Sequence, residues 1–322
     1  MARQLEEDSG PLRKDNRREM KITPRIMNWI ARNNSLVVAG AVTFTMPERF
    51  MKALYANNAD KSWFDGRACM TVSFDCDYPE DVEAIPPLLK MLDRWPFKTS
   101  FACVGHWIEK YPDEHKQIVD HGHEIINHTY SHPDNELLNP GRKFRYISKD
   151  EKREEIERCH EVCARVLGCE PSGCRIPHFK NLFTPEIYGI LAELGYAYSS
   201  STWLTNTTSF GMPFRADHGI IEFPLSTCPS HPFTVFDTWH SLNTPRLLHR
   251  IKHRGPESYM ELFRTLLAMG RATGSYLNIY IDPLDVRKLS GFEAMLEMLV
   301  DDDIMVCTYD EYIKRAYRVI ER

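Results

Sequence analysis

The chain has 322 residues, 43% of them hydrophobic and 26% charged, an ordinary globular composition with ample material for a sizeable core. Its formal net charge of -5 supplies no basic excess for nucleic acid. The longest apolar stretch, Leu36 to Phe44, is far too short to cross a bilayer, and Met1 to Lys21 holds no apolar run ahead of a small-residue cleavage site. The default expectation is a cytoplasmic protein. Nine cysteines, an odd number at irregular spacing, fit free thiols better than a disulfide framework.

Residues 1 to about 22 are charged and nearly devoid of apolar side chains, and read as a mobile arm. From Ile22 to about Asp65 the chain is amphipathic, with Met27, Trp29, Ile30, Phe50, Met51 and Leu54 at roughly helical spacing. This stretch suits packing on the main domain, a homo-oligomer contact or a membrane surface, and packing is the favoured reading. Residues 1–66 are thus an N-terminal arm and helical extension, and 67–322 the main domain.

From Ala68 onward strands and helices alternate. Ala68 to Phe74 is a buried-type strand ending in acids, and a helix led by Pro86 and Pro87 runs to about Arg94. Thr99 to Val104 is a strand, Asp113 to His121 a helix stopped by Gly122, and Glu124 to Asn127 a short strand. A long helix covers Lys149 to Leu167, opened by the Ser148/Glu151 capping box and stopped by Gly168. Gly173 to Arg175 ends a strand, and Thr184 caps a helix with Pro185 at its first position. Tyr196 to Ser199, Ile220 to Phe223, Tyr276 to Ile281 and Ile304 to Cys307 are further strands, with helices near Pro256 to Arg271 and Phe292 to Val300. The alternation implies a parallel sheet, closed as a barrel or open, in which chemistry gathers at the carboxyl ends of strands. Asp75, Asp77, His128, His132, Arg175 and Asp282 all fall at such ends.

Ser73-Phe74-Asp75-Cys76-Asp77 places two carboxylates on one side of a strand end, an arrangement that a cation relieves. His128-Thr129-Tyr130-Ser131-His132 supplies two imidazoles four apart, which share one face if the segment is a helical turn. Two histidines and one carboxylate make an open three-ligand site with room for water, and a second carboxylate beside it can take a proton from that water. Asp77, His128 and His132 are therefore the expected ligands of one divalent metal ion, zinc first, with cobalt, nickel or manganese as alternatives, and Asp75 is the expected base.

These motifs resemble the polysaccharide deacetylase family, carbohydrate esterase family 4. Phe74-Asp75-Cys76-Asp77 looks like its first motif, although adjacent aspartates are the usual form. The spaced form is similar to an intracellular subfamily containing a peptidoglycan deacetylase type and a cyclic-amide hydrolase type resembling allantoinases. His128-Thr129-Tyr130-Ser131-His132 matches the second motif, His121-Gly122-His123-Glu124-Ile125 resembles the strand entry before it, and Arg175-Ile176-Pro177 looks like the third. The resemblance covers about Arg67 to Tyr309. It implies a distorted (β/α) barrel of about seven parallel strands. It also implies that Arg175 pairs with Asp75 and keeps it ionised, that a backbone N–H near Phe179 helps hold the oxyanion, and that Trp203 walls the substrate groove or packs in the barrel edge.

One position departs from the family. Asp282-Pro283 follows the strand Leu277 to Ile281, where the family carries its general-acid histidine. Either a protonated Asp282 donates, or His231 or His240 reaches in from a loop, or the chain keeps the metal without the activity. Cys159, Cys163, Cys169 and Cys174 with His160 match no zinc-finger spacing and are set aside. The expected function is metal-dependent hydrolysis of a C–N amide bond, with N-deacetylation of an amino sugar in the lead. Alternatives are hydrolysis of a small cyclic or linear amide and a non-catalytic metal-retaining protein.

Overall fold

The computed structural model describes residues 47–56, 67–179, 184, 186–204, 207, 209–238, 241, 255–301 and 304–317. The first half of the chain contributes α1 (Pro47–Ala56), β1 (Cys69–Cys76), α2 (Pro79–Leu92), β2 (Ser100–Cys103), α3 (Gly105–Lys110), α4 (Pro112–Asp120), β3 (Glu124–Asn127) and α5 (Lys149–Val162). Then follow β4 (Gly173–Cys174), α6 (Ile187–Glu193), β5 (Tyr198–Ser199), β6 (Phe214–Arg215), β7 (Ile221–Glu222), β8 (Thr227–Cys228) and β9 (His231–Val235). The last part is α7 (Pro256–Thr273), β10 (Tyr276–Ile281), α8 (Pro283–Lys288), α9 (Phe292–Asp301), β11 (Met305–Val306) and α10 (Tyr309–Ala316).

The main sheet runs β10-β1-β2-β3-β4-β5-β7-β6, with β11 added beside β1. Among the described residues seven strands of this path, β10 through β7, pair in parallel, and β6 pairs antiparallel at the end. The seam back to β10 is closed by the segment after β7. The Ser226 N–H donates to the Asn278 carbonyl at 2.7 Å and Ser226 Oγ accepts from the Asn278 N–H at 3.0 Å. The expected distorted (β/α) barrel is the observed fold.

β1 shows why the chain folds this way. All eight of its residues are buried, as in a strand covered on both faces. Period-two alternation sends Met70, Val72, Phe74 and Cys76 into the large apolar core that includes helix residues such as Ile85, Leu88 and Phe292. It sends Cys69, Thr71, Ser73 and Asp75 inward. The inner floor is aromatic: Tyr198, Phe223, Tyr276, Tyr309 and Tyr312 share one cluster, with Tyr309 and Tyr312 delivered by α10. The described part of the N-terminal extension joins the outer core, where Phe50, Met51, Leu54 and Tyr55 of α1 are buried. The arm 1–22 and residues 23–46 and 57–66 lie outside the described residues.

Three expectations change. α2 begins at Pro79, so Pro86 and Pro87 sit inside it rather than at its head. Pro87 has no N–H for the Glu83 carbonyl, and that carbonyl instead accepts from the Arg287 guanidinium at 2.7 Å. α6 starts at Ile187, whose N–H donates to the Thr184 carbonyl at 3.1 Å, so the Thr184 side chain is not its cap. α5 does open on the Ser148/Glu151 box, but after Val162 it widens into a π turn, Cys163–Leu167, before Gly168 ends it at φ 69°. The short α3, α8, β6 and β8–β9 pieces leave no periodic signature in the sequence.

Gly173 is fixed by space. A Cβ there would lie 1.8 Å from Tyr198 Cζ, and Tyr198 is anchored through its hydroxyl to Glu124 Oε1 at 2.6 Å. Gly173→Ala is expected to cost about 3 kcal/mol or more. Urea denaturation checks this, and a loss under about 1 kcal/mol would mean that the ring can move aside.

Candidate metal centre and active site

Asp75 lies in β1 and Asp77 just past its end. His128 follows β3 directly, and Arg175 follows β4. The parallel register therefore gathers residues far apart in sequence at one mouth of the barrel. One ligand atom from each of Asp77, His128 and His132 lies within 4.8 Å of the others, and the two imidazole rings are 4.8 Å apart. His128 and His132 do not share a helical turn, as the spacing suggested. The segment is a loop in which Thr129 (φ 64°) and His132 (φ 49°) take left-handed backbone conformations.

The donor set fits a cation. His128 Nδ1 lies 2.7 Å from the Arg175 carbonyl, which only accepts, so Nδ1 carries the proton. In the neutral ring the lone pair of Nε2 then faces Asp77 Oδ1 at 3.1 Å, while His132 Nε2 lies 3.5 Å from Oδ2. Asp77 Oδ1 and His132 Nδ1 are buried without a hydrogen-bond partner. Acceptors that converge in a buried pocket repel unless a proton or a metal joins them. The titration behaviour agrees. Burial would raise the Asp77 carboxyl, yet the neighbouring His132 and His128 hold it well below the usual range. Burial drops His132 to about 4. Burial would lower His128, but Asp77, Asp75 and the Arg175 carbonyl together raise it.

The loop is clamped in place. The Asp77 carbonyl accepts from Trp107 Nε1 at 2.8 Å and from Asn135 Nδ2 at 2.7 Å. The Asn135 backbone N–H in turn donates to the His132 carbonyl at 2.8 Å, so one residue ties both halves of the triad, by its side chain to Asp77 and by its backbone to His132. Glu155 accepts from the Ser131 N–H at 2.8 Å and from Ser131 Oγ at 2.6 Å. Asp81 accepts from the Tyr78 N–H at 3.0 Å and from the Leu284 N–H at 3.1 Å, joining the end of β1 to the end of β10.

Arg175 is fully buried beneath this layer. Its Nη1 donates to Asp75 Oδ1, and its Nη2 reaches Tyr309 OH at 2.6 Å, Ser73 Oγ at 2.9 Å and Ser200 Oγ at 3.2 Å. The other Asp75 oxygen lies 3.9 Å from His128 Nε2. Burial pushes the Asp75 carboxyl up, and Arg175 and His128 pull against that rise without cancelling it. Arg175 thus orients Asp75 and favours its ionised form, while burial makes that form a stronger proton acceptor.

Asp282 is brought close. Phe74 pairs with Ile281 in the β1–β10 register, which carries Asp75 and Asp282 side by side along the sheet. Burial, reinforced by Asp77, Asp81 and Asp75, pushes the Asp282 carboxyl well above the usual range. His231 is a poorer donor: it stands on β9 with Nδ1 2.5 Å from Thr234 Oγ1, and burial lowers it to about 4. His240 lies outside the described residues. Trp203 bridges to Leu225 and packs with Leu225, Val235 and Tyr280, its buried indole N–H lacking an acceptor. Phe179 closes the short turn Pro177–Phe179 after Arg175. Among the described residues no cysteine joins a metal-ligand group. Sequence reasoning missed His178, whose ring lies 6.1 Å from that of His132, although it adjoins the Arg175-Ile176-Pro177 motif. It also missed Asn135 and Tyr309, whose only sequence signal is a polar residue near a motif and a capping box at Thr308.

Residues 65–199 match the family model described as polysaccharide deacetylase. That segment belongs to the polysaccharide deacetylase family. It contains Asp75, Asp77, His128, His132 and Arg175, and Asp282 falls beyond it. A peptidoglycan-N-acetylglucosamine deacetylase of Bacillus cereus is 35% identical over 112 residues, 35% of this chain and 37% of the relative. A peptidoglycan deacetylase of Helicobacter pylori is 28% identical over 159 residues, 46% of this chain and 50% of the relative. The chain thus spans between about a third and a half of these curated relatives. The crystal structure of a candidate polysaccharide deacetylase from Mycobacterium smegmatis superposes with a TM-score of 0.63, over 79% of this chain and 92% of that one, at 22% identity. It shares the fold.

Replacing Arg175 by Met strands the Asp75 carboxylate in the barrel. The expected loss is about 3–5 kcal/mol, measured by chemical denaturation. Arg175→Met/Asp75→Asn should recover part of it, and a double variant no more stable than the single one would count against the pairing.

Proposed function

We propose that this protein is a metal-dependent hydrolase of C–N amide bonds that removes the acetyl group from an amino sugar or a sugar-containing substrate. The observation that carries the reading is the Asp75 carboxylate, held by Arg175 on one side and facing the Asp77–His128–His132 triad on the other. The names of the Bacillus and Helicobacter relatives support the same chemistry. Zinc is the proposed ion, with cobalt, nickel or manganese as alternatives. When bound it would supply Lewis acidity, easing ionisation of water and offsetting the charge on a carbonyl oxygen under attack.

Asp75 is the proposed base: it takes a proton from water as the water oxygen bonds to the acetamide carbon. The C–N bond then breaks as the amine nitrogen gains a proton, leaving acetate and a free amine. Asp282 is the proposed donor of that proton, since a carboxyl raised by burial stays protonated nearer neutrality than an ordinary one. The Phe179 backbone N–H is proposed to face the oxyanion, and Trp203 to wall the substrate site. The proposed cytoplasmic location rests on the nine irregularly spaced cysteines. Among the described residues no helix is long and apolar enough to cross a membrane.

A second reading, hydrolysis of a small cyclic or linear amide, is favoured by the spaced Asp75-Cys76-Asp77 motif. The zinc-loaded protein should release acetate and amine in equal amounts from N-acetylated chitooligosaccharides, and Asp75→Asn should lower the rate by about 100-fold or more. Turnover of allantoin or simple amides alone would select the second reading. Silence on every substrate, with turnover gained in Asp282→His, would mean a metal-retaining protein without activity.

Metal analysis tests the ligand assignment separately. Asp75→Asn should keep one zinc per chain while His128→Ala loses it, and full occupancy after His128→Ala would refute the triad.

A further inference from the structure

The cavity beside the triad has a charge that the deacetylase reading alone does not use. Its lining includes Asp134, Lys143, Arg145, Tyr146, His178 and Thr184. At about 190 Å³ it is smaller than the roughly 300–1,000 Å³ that encloses a whole drug-sized ligand, so it suits one substituent. Two permanently basic side chains and a histidine face one acid. That acid, Asp134, accepts from the Phe144 N–H at 3.1 Å and offsets Lys143 at 3.4 Å, so the lining keeps a net positive charge.

Two further features mark a ligand site rather than a chance hollow. Thr184 is fully buried and its hydroxyl has no hydrogen-bond partner, a state that costs about 1–3 kcal/mol unless something occupies the cavity. His178 holds a left-handed backbone conformation, φ 57°, that is uncommon outside glycine. Its ring walls the cavity and also lies 6.1 Å from the His132 ring, so His178 stands between a group bound here and the triad. Tyr146, 68% exposed with the Arg145 guanidinium stacked on its ring, stands at the rim.

We propose that this cavity is an anion subsite that receives a carboxylate or phosphate group carried by the substrate, fixing the scissile amide against the triad. Lys143 and Arg145 supply the charge, and the Thr184 hydroxyl donates to an anionic oxygen. The proposal rests on the deacetylase reading for what the substrate is, but not for whether the anion binds.

Calorimetry on the metal-free protein compares N-acetylglucosamine, N-acetylmuramate and N-acetylglucosamine 6-phosphate. At least one of the two anions should bind ten-fold or more tightly than the neutral sugar, and which one does so separates carboxylate from phosphate. The preference should shrink as ionic strength rises. Lys143→Met, at a half-exposed side chain, and the isosteric Thr184→Val should each bring the ratio toward one. Equal affinity for all three sugars, or a preference that both variants leave intact, overturns the subsite. With the zinc-loaded protein the same preference should appear in KM. Anion preference without turnover would sink the deacetylase reading and leave the subsite standing. Turnover with equal binding would do the reverse.

Discussion

The buried guanidinium of Arg175 is the interaction on which the centre of this molecule depends. It stands inside the barrel, where a bare charge would be prohibitively costly. Asp75 above it and the hydroxyls of Ser73, Ser200 and Tyr309 around it satisfy that charge. Those partners come from β1, the end of β5 and the start of α10. Tyr309 OH passes the connection on to Asn278 Oδ1 at 2.6 Å, and Asn278 also holds the barrel seam. One cation thus joins the floor of the barrel, its seam and the carboxylate at its mouth.

The proposed metal centre is built on that base. β1 brings Asp77 to the rim, and Trp107, Asn135 and Asp81 fix its backbone there. The second half of the centre is a loop bent through unfavourable conformations at Thr129 and His132, and Glu155 and Asn135 hold it bent. Strain of this kind persists only where the surroundings over-determine it. The result is a carboxylate and two imidazoles converging on one another in a buried site, a poor arrangement for a protein alone and a good one for a protein with a cation.

Much of this was legible in the sequence because strand ends announce themselves. An apolar run that stops in Asp75-Cys76-Asp77, and a short one that stops in His128, place chemistry where parallel sheets keep it. Capping signals at Ser148 and Gly168 marked the long helix between them. The proline pair at 86 and 87 misled, because the compensating donor, Arg287, lies some two hundred residues away and no local rule can supply it. Separation in sequence also hid Tyr309 and Asn135, which lie 134 residues from Arg175 and 58 from Asp77 and whose roles exist only once the barrel closes. His178 was overlooked although it sits three residues after Arg175, because its importance comes from a backbone turn that residue type alone does not forecast.

X-ray absorption at the zinc edge of the reconstituted protein tests the central claim most directly. The Asp77–His128–His132 assignment predicts two imidazole ligands, with light oxygen donors filling the remaining positions and no sulfur. A sulfur ligand, or fewer than two imidazoles, would contradict it and move the metal to the cysteines that the fold otherwise leaves unused.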